Sequence, residues 1–257
     1  MKSDKKAYLL QLQKPFYYSL GIFSLFIVWF IISVVVKNSL VFPSIKDTFK
    51  ACGEILSRRR TYISLGITLG RLFIVISVSF VLAFFLAYLS YLYKRVYYFF
   101  MPFTSIFRTI PIISIVLLLL VYRGDVVTVY YTSFLVCFPV MFEALYRGFS
   151  SVNKDIIDAT RLNAKINFYV FFKVHVPLSL PFILMSVIQS FGLGFKVVVM
   201  SEFLTSTKWG IGREFSLAHA ALEQSEIFAF SFLMITIVII FDSLLRFTLK
   251  KCMQRLF

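Results

Sequence analysis

Between residues 63 and 91 the only charge is Arg71, and five further stretches, 20–36, 99–122, 126–146, 180–204 and 227–249, are nearly as apolar. About 20 mostly apolar residues of helix cover the hydrocarbon core of a bilayer. Water does not reach a backbone in that core, so each segment must satisfy its own N–H and C=O groups, which makes it a helix. A transmembrane barrel would need short alternating segments, and the sequence has none. The predicted fold class is therefore all-α, a polytopic membrane protein of about six transmembrane helices. No Gly-, Ser- or Pro-rich linker separates the spans, so residues 1–257 are expected to form one membrane domain. With 60% apolar and 15% charged residues, the composition fits a chain whose solvent is lipid.

Basic residues set the expected orientation. With the N-terminus inside, the inner segments carry Lys2, Lys5, Lys6 and Lys14, then Lys94 and Arg95, then the basic residues of 147–173 and of 246–255. The outer segments hold fewer, with Arg58, Arg59 and Arg60 as their densest group. Both termini are accordingly expected in the cytoplasm. The net charge of +15 is expected to meet lipid headgroups rather than nucleic acid. The first apolar stretch is longer than a signal-peptide core and lacks a small-residue cleavage site, so it is read as a permanent span. Cys52, Cys137 and Cys252 fall in three different compartments of this topology, which provides neither a disulfide nor a metal cluster. There is no Walker-type loop and no His-Glu-x-x-His, and His175 and His219 are the only histidines. The chain is expected to be non-catalytic and to need no cofactor.

One segment interrupts the apolar pattern. Residues 147–179 form the longest polar stretch on the expected inner side, and within it IIDATRLNAKINFYVFFKVHVPLSLP carries Asp158, Arg161, Lys165, Lys173 and His175. Residues 155–164 can form a short helix. The residue before Pro177 is biased to extended backbone and predicts a break there, while Pro181 suits the first turn of the next helix. On pattern alone the segment reads as a helix at the membrane surface, with Phe168, Phe171 and Phe172 dipping into lipid.

The same residues resemble the EAA loop of ABC importer permeases. Laid on that pattern, Asp158, Ala159 and Thr160 stand at the Glu-Ala-Ala positions, Ala164 at the glycine, Val174 at the isoleucine and Val176-Pro177 at the Leu-Pro. A register one residue earlier puts Asn163 at the glycine position. Phe42-Pro43-Ser44, Arg108-Thr109-Ile110-Pro111, Gly148, Ser201-Glu202-Phe203 and Trp209-Gly210-Ile211-Gly212 are similar, in order and spacing, to landmarks of the nitrate/sulfonate/taurine branch.

The resemblance implies a type I importer permease in a bacterial inner membrane, working as a homodimer with ABC ATPase subunits and an extracytoplasmic substrate-binding protein. It also implies that Asp158, Ala159, Thr160, Arg161, Asn163, Ala164, Val174 and Pro177 form the ATPase-coupling contact. The substrate it implies is a small solute, anionic if the branch holds. A secondary transporter or channel is the alternative, against which the sequence shows no paired intramembrane acids.

Charges inside spans are functional candidates because each is costly in lipid. Arg71, early in its helix, is expected to snorkel to the outer interface. Arg108, just before Pro111, is read either as a bond to freed backbone carbonyls or as a ligand contact. Lys196 follows Gly192, Gly194 and Phe195; it either faces a translocation path and attracts an anion or pairs with a neighbouring span. Glu202 lies off its helical face, and the expected substrate path comprises Lys196, Arg108, Phe195 and Glu202. The outer segment 205–226 is read as a docking surface for the binding protein through Trp209, Arg213, Glu214 and Glu223, or as a lid over the outer gate.

Overall fold

The computed structural model describes residues 2–152 and 171–256, and among them every regular element is helical. The described helices are α1 (Lys2–Val36), α2 (Ile45–Ser57), α3 (Arg59–Leu92), α4 (Lys94–Thr109), α5 (Ile112–Arg123), α6 (Asp125–Ser150), the three-residue turn α7 (Val176–Leu178), α8 (Leu180–Thr205), α9 (Ile211–Ala220) and α10 (Gln224–Leu256). Five are long and apolar enough to cross a membrane, or six when α4 and α5 count as one broken span. The chain divides into two compact units, one of residues 1–58 and 217–233, the other of 59–216 and 234–257.

In the first unit Ser44 explains the landmark Phe42-Pro43-Ser44. Its hydroxyl accepts the Asp47 N–H at 3.1 Å and donates to the Asp47 carboxylate at 2.7 Å, capping α2. Trp29 of α1 donates its indole N–H to the Pro43 carbonyl and stacks on Phe232, with ring centroids 5.5 Å apart. Arg58 pairs with Glu226 at 2.6 Å.

In the second unit α3, α6 and α8 pack on one another. The buried side of α3 is Thr61, Ser64, Thr68, Arg71, Leu72, Val75, Ile76, Ser79, Ala83, Ala87 and Ser90. Small residues on this face let helix backbones approach closely, which is how helices associate where lipid is as apolar as leucine. Gly194 of α8 follows the same logic, because a Cβ there would lie 2.7 Å from Cys137 Sγ.

The expected third span is not one helix. α4 and α5 meet at 95° across Ile110 and Pro111. Proline disfavours helical backbone in the residue before it, and Ile110 is extended at φ −65°, ψ 130°.

Beyond the residues left undescribed, five residues of π-helix, Phe171–His175, run directly into α7. The break expected before Pro177 falls instead at Ser179 (φ −89°, ψ 0°), because Pro177 lies in the first turn of α7, where its missing N–H costs nothing. Pro181 does lie in the first turn of α8. Phe171 is not a lipid anchor. It is fully buried, with its ring 4.1 Å from Tyr88 and edge-on to Phe149 at 5.0 Å. Ser179 donates to the Gly148 carbonyl at 3.0 Å, and Gly148 has no room for a Cβ beside Phe182. Phe171→Ala is expected to cost about 3–5 kcal/mol, as for a large aromatic lost from a packed site, read as a lower unfolding temperature of the detergent-solubilised protein.

Candidate functional site

α8 carries charges that the sequence places at membrane depth, and its far end is held differently from its middle. At the end leading to α9, Glu202 is wholly buried. Its carboxylate accepts from Arg71 Nη1 at 2.6 Å, from the Thr68 hydroxyl at 2.9 Å and from the Gly212 N–H at 3.0 Å. Arg71 also donates to the Trp209 carbonyl at 2.9 Å, and Thr68 accepts the Ile211 N–H at 2.8 Å. One carboxylate thus ties α3, α8 and the first turn of α9 together, and it sits at the helix N-terminus where negative charge is favoured.

Glycine is required at two positions of this turn. Gly210 has φ +137°, and a side chain there would collide with the Glu202 carboxylate; a Cβ on Gly212 would strike the Val199 carbonyl. The landmark Ser201-Glu202-Phe203 followed by Trp209-Gly210-Ile211-Gly212 is therefore a latch built around one buried ion pair.

Arg71 does not snorkel: it is 7% exposed and turned to Glu202. α3 begins at Arg59, several residues before the apolar run, so Arg71 lies about three turns down the helix. Glu202, expected on a substrate path, is enclosed by these bonds, and Phe195 is fully buried as well. Lys196, one residue on, is exposed on α8, and no acid pairs with it among the described residues. Arg108 pairs with Glu143 of α6, which also holds Arg147; among the described residues it makes no bond to a backbone carbonyl. Of the docking candidates, Glu214 is 8% exposed, taking Arg60 Nε at 2.8 Å and the Ser64 hydroxyl at 2.7 Å. Arg60 also lies over the Trp209 ring. Trp209 and Glu223 remain exposed and Arg213 is half-buried.

Asp158, Ala159, Thr160, Arg161, Asn163 and Ala164 lie outside the described residues. Val174 is half-buried in the π-helix and Pro177 half-buried in α7. Glu143, Ser64 and Thr68 carry no motif that marks them in the sequence. What points to them is only a rule, that a charge or hydroxyl buried in lipid must find a partner.

Residues 79–255 match the model of the family described as "Binding-protein-dependent transport system inner membrane component". The chain belongs to this family. Two relatives, each called "Probable ABC transporter permease protein", come from Brucella melitensis biotype 1 and Brucella abortus strain 2308. Each is 30% identical over 128 residues, 49% of this chain and 52% and 51% of theirs. The chain thus spans about half the length of the curated relatives it matches. Among solved structures, a chain of the MetNI methionine ABC transporter in an inward-facing conformation superposes with a TM-score of 0.62 at 15% identity, covering 72% of this chain and 92% of its own. That likeness shows the fold, the type I importer permease fold, and the permease is a multi-pass membrane protein of an ABC transport system.

Proposed function

We propose that this permease is the membrane half of an ATP-driven importer. In this reading, residues 1–257 form one permease domain that pairs with a second copy, both termini lie in the cytoplasm, ABC ATPase subunits drive it, and a binding protein delivers the solute from outside. The observation that carries the coupling role is the arm 171–179. Phe171 is packed into the bundle and Ser179 is bonded to Gly148, directly ahead of α8. Whatever displaces the preceding loop therefore pulls on α8 through a packed joint rather than a slack tether. The residues that meet the ATPase in this reading are Asp158, Ala159, Thr160, Arg161 and Asn163 or Ala164, with Val174 and Pro177 at the base.

The substrate in this reading is a small anion of the nitrate or sulfonate kind. The support is Lys196, a lysine presented by α8 without an acid partner among the described residues. The cost of a charge in lipid is relieved if that face lines a watery path. Trp209, Arg213 and Glu223 remain as the docking contacts for the binding protein.

Ala159→Trp tests the coupling. Overfilling a packed contact costs about 1–3 kcal/mol, so the ATPase should no longer co-purify and uptake should fall at least about tenfold, while the membrane domain unfolds at an unchanged temperature. Full uptake by Ala159→Trp would end the coupling assignment. Transport in vesicles that needs no ATP would replace it with a secondary transporter. Lys196→Gln should lower uptake of the anion at least about tenfold with ATPase binding intact.

A further inference from the structure

The bend at Pro111 leaves α4 with an unexplained surface. Only Thr104 of its residues is buried, and Tyr98, Phe99, Met101, Phe103 and Ile106 are each about half or more exposed. Tyr98, Phe99, Pro102, Phe103 and Ile106 follow helical spacing and fall on one side, with Arg95 at its leading end, one turn before Phe99. Basic groups stand at both ends: Lys94 and Arg95 at the start, exposed, and Arg108 at the finish beside Arg147, whose side chain is 72% exposed. Glu143 pairs with Arg108 and Arg147, and no acid pairs with Lys94 or Arg95 among the described residues.

Two contacts fix how α4 runs. Tyr97 stacks on Tyr146 with ring centroids 3.9 Å apart, and Arg108 pairs with Glu143. Tyr97 and Arg108 are about 16 Å apart along α4, yet their partners lie within one turn, about 5 Å, of α6. α4 therefore runs across α6 rather than along it, in agreement with its 95° angle to α5. Residues 143–146 are about 27–32 Å along α6 from Asp125, one hydrocarbon thickness. α4 consequently lies at the boundary of the bilayer, on the face where α6 ends.

We propose that α4 is an in-plane interfacial helix that holds anionic phospholipid of that leaflet, with its aromatic side in the acyl chains and Lys94, Arg95 and Arg147 on the headgroup phosphate. Length and chemistry match this occupant. Aromatic side chains with flanking cations are what an interfacial helix uses, and basic residues at the surface attract anionic lipid. A second protein surface would find four cations and one acid to pair with. The assignment does not depend on the coupling role of the loop.

The test uses the full chain carrying Cys52→Ser and Cys252→Ser, leaving buried Cys137 in place, with nitroxide labels at single cysteines replacing Phe99, Phe103 and Ile106, in nanodiscs of phosphatidylcholine with phosphatidylglycerol. All three labels are expected to be accessible to oxygen, at depths that agree to within about one helical turn, 5 Å. A spanning helix would instead give depths graded by about 10 Å from 99 to 106, and a face covered by protein would give no oxygen access; either result overturns the proposal. Native mass spectrometry then compares the parent with the triple variant Lys94→Gln, Arg95→Gln, Arg147→Gln. Phosphatidylglycerol adducts should fall at least about threefold, with phosphatidylcholine adducts and unfolding temperature unchanged. Equal retention of phosphatidylglycerol would overturn the assignment of these cations to the headgroup.

Discussion

Glu202→Ala is expected to destabilise the permease by about 3–5 kcal/mol, the range for removing one partner of a buried ion pair. Arg71, 7% exposed, would keep the Trp209 carbonyl as its remaining partner among the described residues. The Gly212 N–H and the Thr68 hydroxyl would lose their acceptor in the same step, each at a cost of its own. The double variant Arg71→Met, Glu202→Met should recover most of the loss, because no uncompensated charge remains. It should not recover all of it, since the first turn of α9 still lacks its acceptor. Thermal unfolding in detergent of the parent, Arg71→Met, Glu202→Met and the double variant, the four proteins of the cycle, measures the coupling directly. A Glu202→Ala protein within about 1 kcal/mol of the parent would remove the ion pair from its place as the latch.

The second large effect is at Gly212. Alanine there adds one methyl, but the space is already taken by the Val199 carbonyl, the Glu202 Cβ and the Phe203 N–H, all on α8. Backbone of a packed helix cannot swing aside as a side-chain tip can. The start of α9 must lift and carry its bonds to Glu202 and Thr68 with it, so the cost should reach or exceed the upper end of the usual range for overpacking, about 1–3 kcal/mol. Gly53 is the matched comparison: it lies inside α2, exposed, with no atom within 4 Å of the place a Cβ would take. Gly53→Ala should stabilise by about 0.5–1 kcal/mol, the ordinary gain for alanine over glycine in a helix. Opposite signs for one chemical change would locate the effect in the contacts of Gly212. Equal small effects at both sites would count against the close approach of α9 and α8.

The candidate site is only partly legible in the sequence. Gly210, Gly212 and Glu202 stand out there as a landmark, yet their physical reason is hidden because Thr68 and Arg71 lie more than a hundred positions away in the chain. An escape of Arg71 to the interface follows only if α3 starts where the apolar run starts, and it starts earlier. Glu214 has the look of a surface acid for docking, and only the fold brings Ser64 and Arg60 against it. The place of Phe171 in a loop read as a surface helix suggests a lipid contact, whereas tertiary packing encloses it among Tyr88, Phe149 and His175.

By itself the sequence determined that this chain is built of membrane helices, and which apolar stretches they contain. That follows because a backbone in lipid has one local way to satisfy its hydrogen bonds, and because a minimum length of apolar residues is needed to cross. It also determined some local punctuation: the Pro111 break and the Pro181 start depend on neighbours a few residues apart. Only the tertiary structure decided which charges pair, which aromatics are enclosed, and that α4 turns across α6 instead of continuing a span. These depend on partners distant in sequence, and helical periodicity says which side of a helix a residue occupies but not which helix will face it.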